Sequence, residues 1–379
     1  MKKNILYISY DSIEDSISKS QIIPLLKDLS KIYEISLISF EKKKIHKKIK
    51  FIKTWNQIEY KQNLISKLFS IINCFFLSLS ITKQKKIKVI HCRSYLPALI
   101  AYLVKKRLKV KYIFDIRGLW FNEKYDAKLI NKFFFNILKI IEKKLYQNSD
   151  HIITLSLKSI KYISNEFKIK KNKINYVSCF TDSKKFYKSR ANIKDNIIFG
   201  YFGNVKLSYN FNKVLNFFNT FNKINKNWRL IFANNDLNKK EKKNIFKSFK
   251  YKNKVFIVNS NFETINKIYE KINIGIYFLK EDFSKIASCP TKLGEMLSCG
   301  IPVITNKGIG DINIYINDKK KAGFMVNKIN YNNLNKINNK INNKKSYLKL
   351  KKNAKFIANE YFEKNKNILK YKKIYNQLI

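Results

Sequence analysis

Short apolar runs suited to buried strands alternate with longer amphipathic segments along this chain, and the alternation runs through twice. Ile5–Ser9, Ile35–Phe40, Lys88–Cys92, Tyr112–Ile116 and His151–Leu155 read as strands. Between them, Gln21–Ser30, Leu64–Ile81, Leu96–Arg107 and Phe133–Gln147 read as helices. After a polar stretch, Thr181–Asp195, the pattern restarts. Strands are expected at Ile197–Phe202, Trp228–Ala233, Val255–Val258, Ile274–Tyr277 and Pro302–Thr305, with a helix at Val214–Asn222. Alternation of this kind folds as a parallel sheet wrapped by helices. The chain has 379 residues, enough for two such domains. The expectation is an α/β protein of two doubly wound, Rossmann-like domains facing across a cleft, with a boundary near residues 185–195. Such sheets bind ligands beyond the carboxyl ends of their strands.

The formal charge is +52, from 78 Lys and Arg against 26 Asp and Glu. Charge of that size attracts acidic surfaces. The lysines are nevertheless scattered over every segment, among abundant Asn, Ile, Phe and Tyr and only 9 Gly and 4 Pro. That is what AT-rich coding produces, and no nucleic-acid recognition motif is present, so nucleic acid is not an expected partner. Five cysteines without a C-x-x-C pair and three well-separated histidines give neither a disulfide framework nor a zinc site. A reducing cytoplasm fits this cysteine usage.

Asp11 interrupts the first apolar run too early for a signal-peptide core. No stretch of about twenty residues is free of polar interruption, so a spanning helix is not expected. Leu64–Ile81 comes nearest. Leu64, Leu68, Ile71, Ile72, Phe75 and Leu79 fall on one side of it, with Ser66, Lys67, Ser70 and Asn73 opposite. The pattern suits either a core helix of the first domain or a helix docked on an anionic membrane. Asn330–Lys345 is a low-complexity surface helix, and Ala354–Ile379 a helical tail.

The densest motif runs from Pro290 to Gly310. Thr291 is placed to cap a helix, Leu293, Met296 and Leu297 form its inward side, Gly300 ends it, and Pro302 starts a buried strand. A helix N-terminus beside Lys292 suits an anion such as a diphosphate. Glu295, about one turn after Thr291, is placed to accept hydrogen bonds from ligand hydroxyls. The same residues also describe an ordinary capped helix in a βαβ unit.

Pro290-Thr291-Lys292-Leu293-Gly294-Glu295, followed by Gly300-Ile301-Pro302-Val303-Ile304, resembles the donor-binding region of the retaining glycosyltransferases of family 4. Asn306–Asp311, with Gly308 and Gly310, resembles their next loop. Ser20-Gln21-Ile22-Ile23-Pro24 resembles their first helix, and Ile90–Ala98, with His91 and Arg93, an H-x-R-S segment. Asp115-Ile116-Arg117-Gly118-Leu119-Trp120 with Glu123 resembles a D-x-R-G-x-W segment. The resemblance spans nearly the whole chain.

It implies the GT-B architecture. Residues 1–188 would be an acceptor domain and 189–357 a nucleotide-sugar donor domain, with a last helix at about 358–379 crossing back to the first. It implies retaining transfer of a sugar from a nucleotide-diphosphate sugar to a cell-surface glycan or lipid-linked acceptor. The nucleotide sugar is a co-substrate, and neither a metal nor another cofactor is expected. The setting would be cytoplasmic, and peripheral on the inner face of the membrane if Leu64–Ile81 docks there. Carried over by position, Glu295, Lys292, Thr291, Leu293, Gly203, Asn204 and Lys206 would hold the donor. Arg93, Trp120, Glu123, Ser20 and Gln21 would line the acceptor side. Asp115 and Arg117 are the catalytic candidates, their alternative being a structural ion pair at a strand end.

The chain departs from the family pattern at several positions. Ala287 stands where the first Glu of a familiar Glu pair would be, Asn204 and Tyr209 occupy two basic positions, and Ser18 and Lys19 replace a first-loop Gly. These departures motivate a second reading, a GT-B-fold binding protein without transferase activity.

Overall fold

The structure, a computed structural model, describes residues 2–61, 63–187, 189, 193, 196–203, 205, 208–234, 237–316 and 321–379. The chain forms two compact units. One is Met1–Ser178 with Ile286–Ser288 and Asn365–Ile379; the other is Cys179–Lys285 with Cys289–Lys364.

The first unit holds seven parallel strands: β1 (Asn4–Ser9), β2 (Glu34–Glu41), β3 (Thr54–Glu59), β4 (Val89–Arg93), β5 (Lys111–Asp115), β6 (His151–Thr154) and β7 (Ile174–Tyr176). Their order is β3-β2-β1-β4-β5-β6-β7. The chain steps outward from β1 to β3 and then returns to β4, so the switch point lies between β1 and β4. Its helices are α1 (Ile23–Leu29), α2 (Leu64–Gln84), α3 (Tyr95–Leu108), α4 (Trp120–Asp126), α5 (Lys132–Asn148) and α6 (Leu157–Phe167). The connections through α2, α3, α5 and α6 all step the same way along the sheet. Right-handed crossover therefore puts these helices on one face and α1 on the other. Strand alternation follows: Ile90 and Cys92 of β4 enter the core under α2 and α3, while His91 faces the other way, against Tyr7 of β1.

The second unit holds six parallel strands: β8 (Ile197–Tyr201), β9 (Trp228–Ala233), β10 (Val255–Val258), β11 (Ile274–Ile276), β12 (Val303–Thr305) and β13 (Gly323–Met325), in the order β10-β9-β8-β11-β12-β13. Among the described residues its helices are α7 (Phe211–Phe221), α8 (Lys239–Ser248), α9 (Ile265–Tyr269), α10 (Thr291–Ser298), α11 (Ile312–Tyr315), α12 (Tyr331–Asn342) and α13 (Lys344–Ile357), and α14 (Lys364–Leu378) closes the chain. The core is dense in aromatics: Phe199, Phe217, Phe218, Phe221 and Trp228 are all buried in one cluster. Phe218 stacks on Trp228 with centroids 4.6 Å apart, which favours tight burial of this α7–β9 contact.

Both units are Rossmann-like, as the alternation led one to expect, and two strands, Trp228–Ala233 and Val255–Val258, keep the expected bounds. The helix expected at Gln21–Ser30 is α1, preceded by a wide π-type turn over Ser18–Ile22. Three strands were not anticipated. β3 is a polar edge strand, Thr-Trp-Asn-Gln-Ile-Glu, only partly buried; β7 and β13 are three residues each. β13 approaches β12 so closely that a Cβ on Gly323 would lie 2.0 Å from the Val303 carbonyl oxygen.

An 18-residue window of α2 has a mean hydropathy of 1.6, enough to cross a membrane by length and composition alone. Of the side expected to be apolar, Ile71, Phe75 and Leu79 pack against the core, alongside buried Ser70, Cys74 and Ser78, whereas Leu68 and Ile72 are exposed. Small side chains let α2 lie close against α3, and the Ser70 and Ser78 hydroxyls donate to the backbone carbonyls of Lys67 and Cys74, so their burial leaves no polar atom unsatisfied.

Candidate functional site

In the second unit the candidate site is built on α10. Pro290, in extended conformation, precedes the helix and makes no side-chain cap. Thr291 is therefore its first helical residue and not its cap, because Pro290 supplies the carbonyl that accepts from Leu293 N–H at 3.0 Å. At the other end Gly300, with φ +72°, closes a Schellman motif: Gly300 N–H donates to Leu297 and Ile301 N–H to Met296, both at 2.9 Å. Leu293, Met296 and Leu297 are buried, as their spacing predicts.

Glu295 is buried at 1% exposure. Its Oε2 accepts from Tyr269 Oη at 2.7 Å and from Lys292 Nζ at 2.8 Å. Its Oε1 is buried with no partner among the described residues. A carboxylate oxygen held in that condition costs free energy unless a donor reaches it. Burial, and then the Glu295 charge beside it, push the Tyr269 hydroxyl well above its ordinary value, so it stays a hydrogen-bond donor. Tyr269 belongs to a short helix without any motif, and sequence reasoning missed it.

Gly203 follows β8 and is needed where it stands. A Cβ there would lie 2.4 Å from Tyr209 Cε1 and 2.9 Å from Tyr201 Oη. Tyr209 is itself anchored by pairing with Leu279. Asn204 and Lys206, the other donor candidates of this loop, lie outside the described residues. The buried ammonium found beside this loop belongs to Lys285, 3% exposed, whose Nζ donates to Ser208 Oγ at 2.8 Å. Sequence reasoning missed it because a single lysine among so many carries no signal. The loop after β12 is also tied to this segment: Gly310 N–H donates to the Lys285 carbonyl at 2.8 Å, and Gly308 and Gly310 both adopt positive φ.

In the first unit, β1, β4 and β5 end side by side, with Ser9, Arg93 and Asp115 in register. Asp115 is fully buried. Its Oδ1 accepts from Arg117 Nη1 at 3.3 Å; its Oδ2 accepts from Tyr371 Oη at 3.2 Å and lies 3.3 Å from His91 Nε2. His91 Nδ1 is hydrogen-bonded to Tyr375 Oη at 2.8 Å, and Tyr7 stacks on the ring at 4.5 Å. Burial alone would raise the Asp115 carboxyl, but Arg117, His91 and Arg93 together bring it down to about 2. Burial lowers His91 below its ordinary value despite Asp115, so it is neutral at pH 7. Asp115 and Arg117, the catalytic candidates, thus form a buried ion pair at a strand end. The last helix, α14, supplies both tyrosines that complete the network.

Arg93 is buried and donates from Nε to Asp11 Oδ2 at 2.9 Å. Trp120 is exposed at the start of α4, with Lys124 over its ring at 5.5 Å. Glu123 sits one turn later, near Gly118, whose φ is +148°. Gln21 is buried; the Ser20 hydroxyl donates to the Ile17 carbonyl at 3.1 Å. Ala287 is buried as well.

Comparison with known proteins gives a consistent answer. Residues 52–185 match the family described as Glycosyltransferase Family 4, and residues 182–356 the family described as Glycosyl transferases group 1. No curated protein matches the sequence. Among solved structures, a sucrose-phosphate synthase from Thermosynechococcus elongatus superposes with a TM-score of 0.77 at 15% identity, over 100% of this chain and 99% of that one. A glycosyltransferase from Rickettsia africae gives 0.73 at 17% identity, over 100% and 98%. Anabaena HepE, solved with UDP and glucose, gives 0.72 at 10% identity, over 99% and 98%. Two consecutive glycosyltransferase segments on two Rossmann-like units, shared end to end with such structures, identify this chain as a glycosyltransferase of the GT-B type.

Proposed function

We propose that the second unit binds a nucleotide-diphosphate sugar at α10 and that the enzyme transfers the sugar with retention of configuration. The acceptor in this reading is a cell-surface glycan or its lipid-linked precursor, presented to the first unit near Arg93, Trp120 and Glu123. One observation carries the donor assignment: Glu295 is fixed through Oε2 by Tyr269 and Lys292, and its buried Oε1 has no partner. A vicinal diol such as a ribose supplies the missing donors. Anabaena HepE, of the same fold, is solved with UDP and glucose, which supports a nucleoside diphosphate at the corresponding face.

The difficult step is departure of the diphosphate. Lys292 and the free N–H groups at the start of α10 offset its developing charge. Lys285 adds a second ammonium beside the loop that follows Gly203. No step in this account needs a metal ion.

A thermal-shift panel of UDP-, GDP-, ADP- and dTDP-sugars with their nucleoside diphosphates tests the assignment. A single base should stabilise the protein, by about 2.7 kcal/mol at a hundredfold excess over Kd. No shift with any member, from folded protein, would favour the reading without transferase activity.

A further inference from the structure

α2 and α5 pack apolar side chains inward, among them Phe75 and Ile81 on α2 and Leu138 and Leu145 on α5, and also carry apolar side chains on their outer sides. On α2, Ile65, Phe69, Ile72 and Phe76 form one stripe at helical spacing, with Leu68 beside it, and all are exposed; Phe69 is 69% exposed. The side turned inward carries Ser70, Cys74, Ser78 and Ile81, with Ile71, Phe75 and Leu79 packed against the core. Only 28% of the apolar 18-residue window of α2 is buried. On α5, Phe133, Phe134, Ile137 and Ile140 are exposed, Phe133 at 69%, while Glu142 is fully buried. Glu142 accepts from Tyr95 Oη at 2.7 Å and Tyr146 Oη at 2.9 Å, and pairs with Lys139. A water-facing helix carries polar side chains on its outer side, and contiguous exposed apolar surface of this kind marks an interaction site.

The two stripes belong to one layer. α2 packs on α3, and α3 on α5, on the same face of the sheet. In a parallel sheet each of these helices runs against the strand that follows it, so each begins at the strands' carboxyl ends. The stripes occupy the first halves of α2 and α5. They therefore lie toward the edge of the unit where Arg93, Asp115 and Arg117 sit, and exposed Trp120 and Leu129 lie on the segment that joins β5 to α5.

The charge of the layer selects the occupant. α2 and α3 contain no Asp or Glu, and the one in α5 is the buried Glu142. The other charged side chains of these helices are cationic, among them Lys67 on α2, Arg107 on α3, and Lys132, Lys143 and Lys144 on α5. A second copy of the chain would bring like charge against like charge across a twofold interface. An anionic bilayer matches both features, taking the aromatic and aliphatic side chains at the acyl boundary and the lysines at its headgroups. We infer that α2 and α5 together seat the first unit on an anionic lipid surface, with α2 lying in the interface, not crossing it.

The inference stands on these two helices and needs no donor site, so its test omits sugar nucleotides and leaves the transferase reading untouched if it fails. The full chain is floated with phosphatidylcholine vesicles and with phosphatidylcholine–phosphatidylglycerol vesicles. Capture by the anionic vesicles should exceed capture by the neutral ones. It should fall by at least about tenfold in Phe69→Ser/Phe76→Ser and, separately, in Phe133→Ser/Phe134→Ser. Both variants should keep the wild-type melting temperature, because the altered side chains are exposed. Undiminished capture by either variant would overturn the inference by showing that bulk charge suffices. No capture, with a concentration-dependent dimer that both variants disperse, would overturn it in favour of a second copy.

Discussion

Asp115 and Glu295 are both buried carboxylates, and their partners separate their roles. Both Asp115 oxygens are engaged, by Arg117 on one side and by Tyr371 and His91 on the other. Glu295 keeps one oxygen without a partner. In the proposed reading the first arrangement fixes a structure and the second receives a ligand. Asp115→Asn should therefore destabilise the protein by about 3 kcal/mol at pH 7, since it breaks a buried pair and leaves Arg117 without its counter-charge. The pH dependence has a definite sign. The folded carboxyl, at about 2, lies below its ordinary value of 3.8, so its contribution is present above pH 4 and is lost as pH falls from about 4 to 2. His91, neutral when buried, acts in the same direction: the unfolded chain takes up its proton as pH falls below the ordinary histidine value, favouring unfolding. Urea unfolding of both proteins between pH 7 and pH 3 measures this. Equal stability at pH 7 would mean the Asp115 network is not a strut.

At the scale of elements, α10 shows how much a motif can disclose. Its inward residues, its glycine stop and the following strand were all legible, because each is set by local backbone chemistry. Its start was misplaced by one residue, since Pro290 and not Thr291 precedes the first turn. What lay beyond local chemistry was not legible. Tyr269 reaches Glu295 from α9, in a separate segment, and Lys285 is one lysine among many. The inward side of α2 mixes Ser70, Cys74 and Ser78 with Phe75, Leu79 and Ile81, and its neighbour there is α3, a contact beyond local chemistry. Gly294 is a further case. A Cβ there would lie 2.7 Å from Phe362 Cδ1 and 3.2 Å from Thr181 Cγ2, and Phe362 is fully buried. Gly294→Val should cost about 1–3 kcal/mol in urea unfolding through overpacking, and should weaken donor binding by displacing α10. Unchanged stability would mean that α10 is less tightly seated than this contact indicates.

For the whole molecule, the charge of +52 says little by itself. It gains meaning only where the fold removes carboxylates from a surface, as over α2, α3 and α5. The two units likewise divide their chemistry. The first has a buried polar network in which both Asp115 oxygens are engaged at the strand ends, and an apolar, cationic layer outside. The second has, on the α10 motif, Glu295 with the Lys292 ammonium on one carboxylate oxygen and, among the described residues, no partner on the other. The central claim is that this oxygen binds the nucleotide sugar, and calorimetric titration of wild-type and Glu295→Gln protein with the sugar nucleotide selected by thermal shift tests it most directly. The account predicts a Kd weakened about ten- to hundredfold in the variant, the loss of a charged hydrogen bond, with the fold intact by circular dichroism. An unchanged Kd would contradict it.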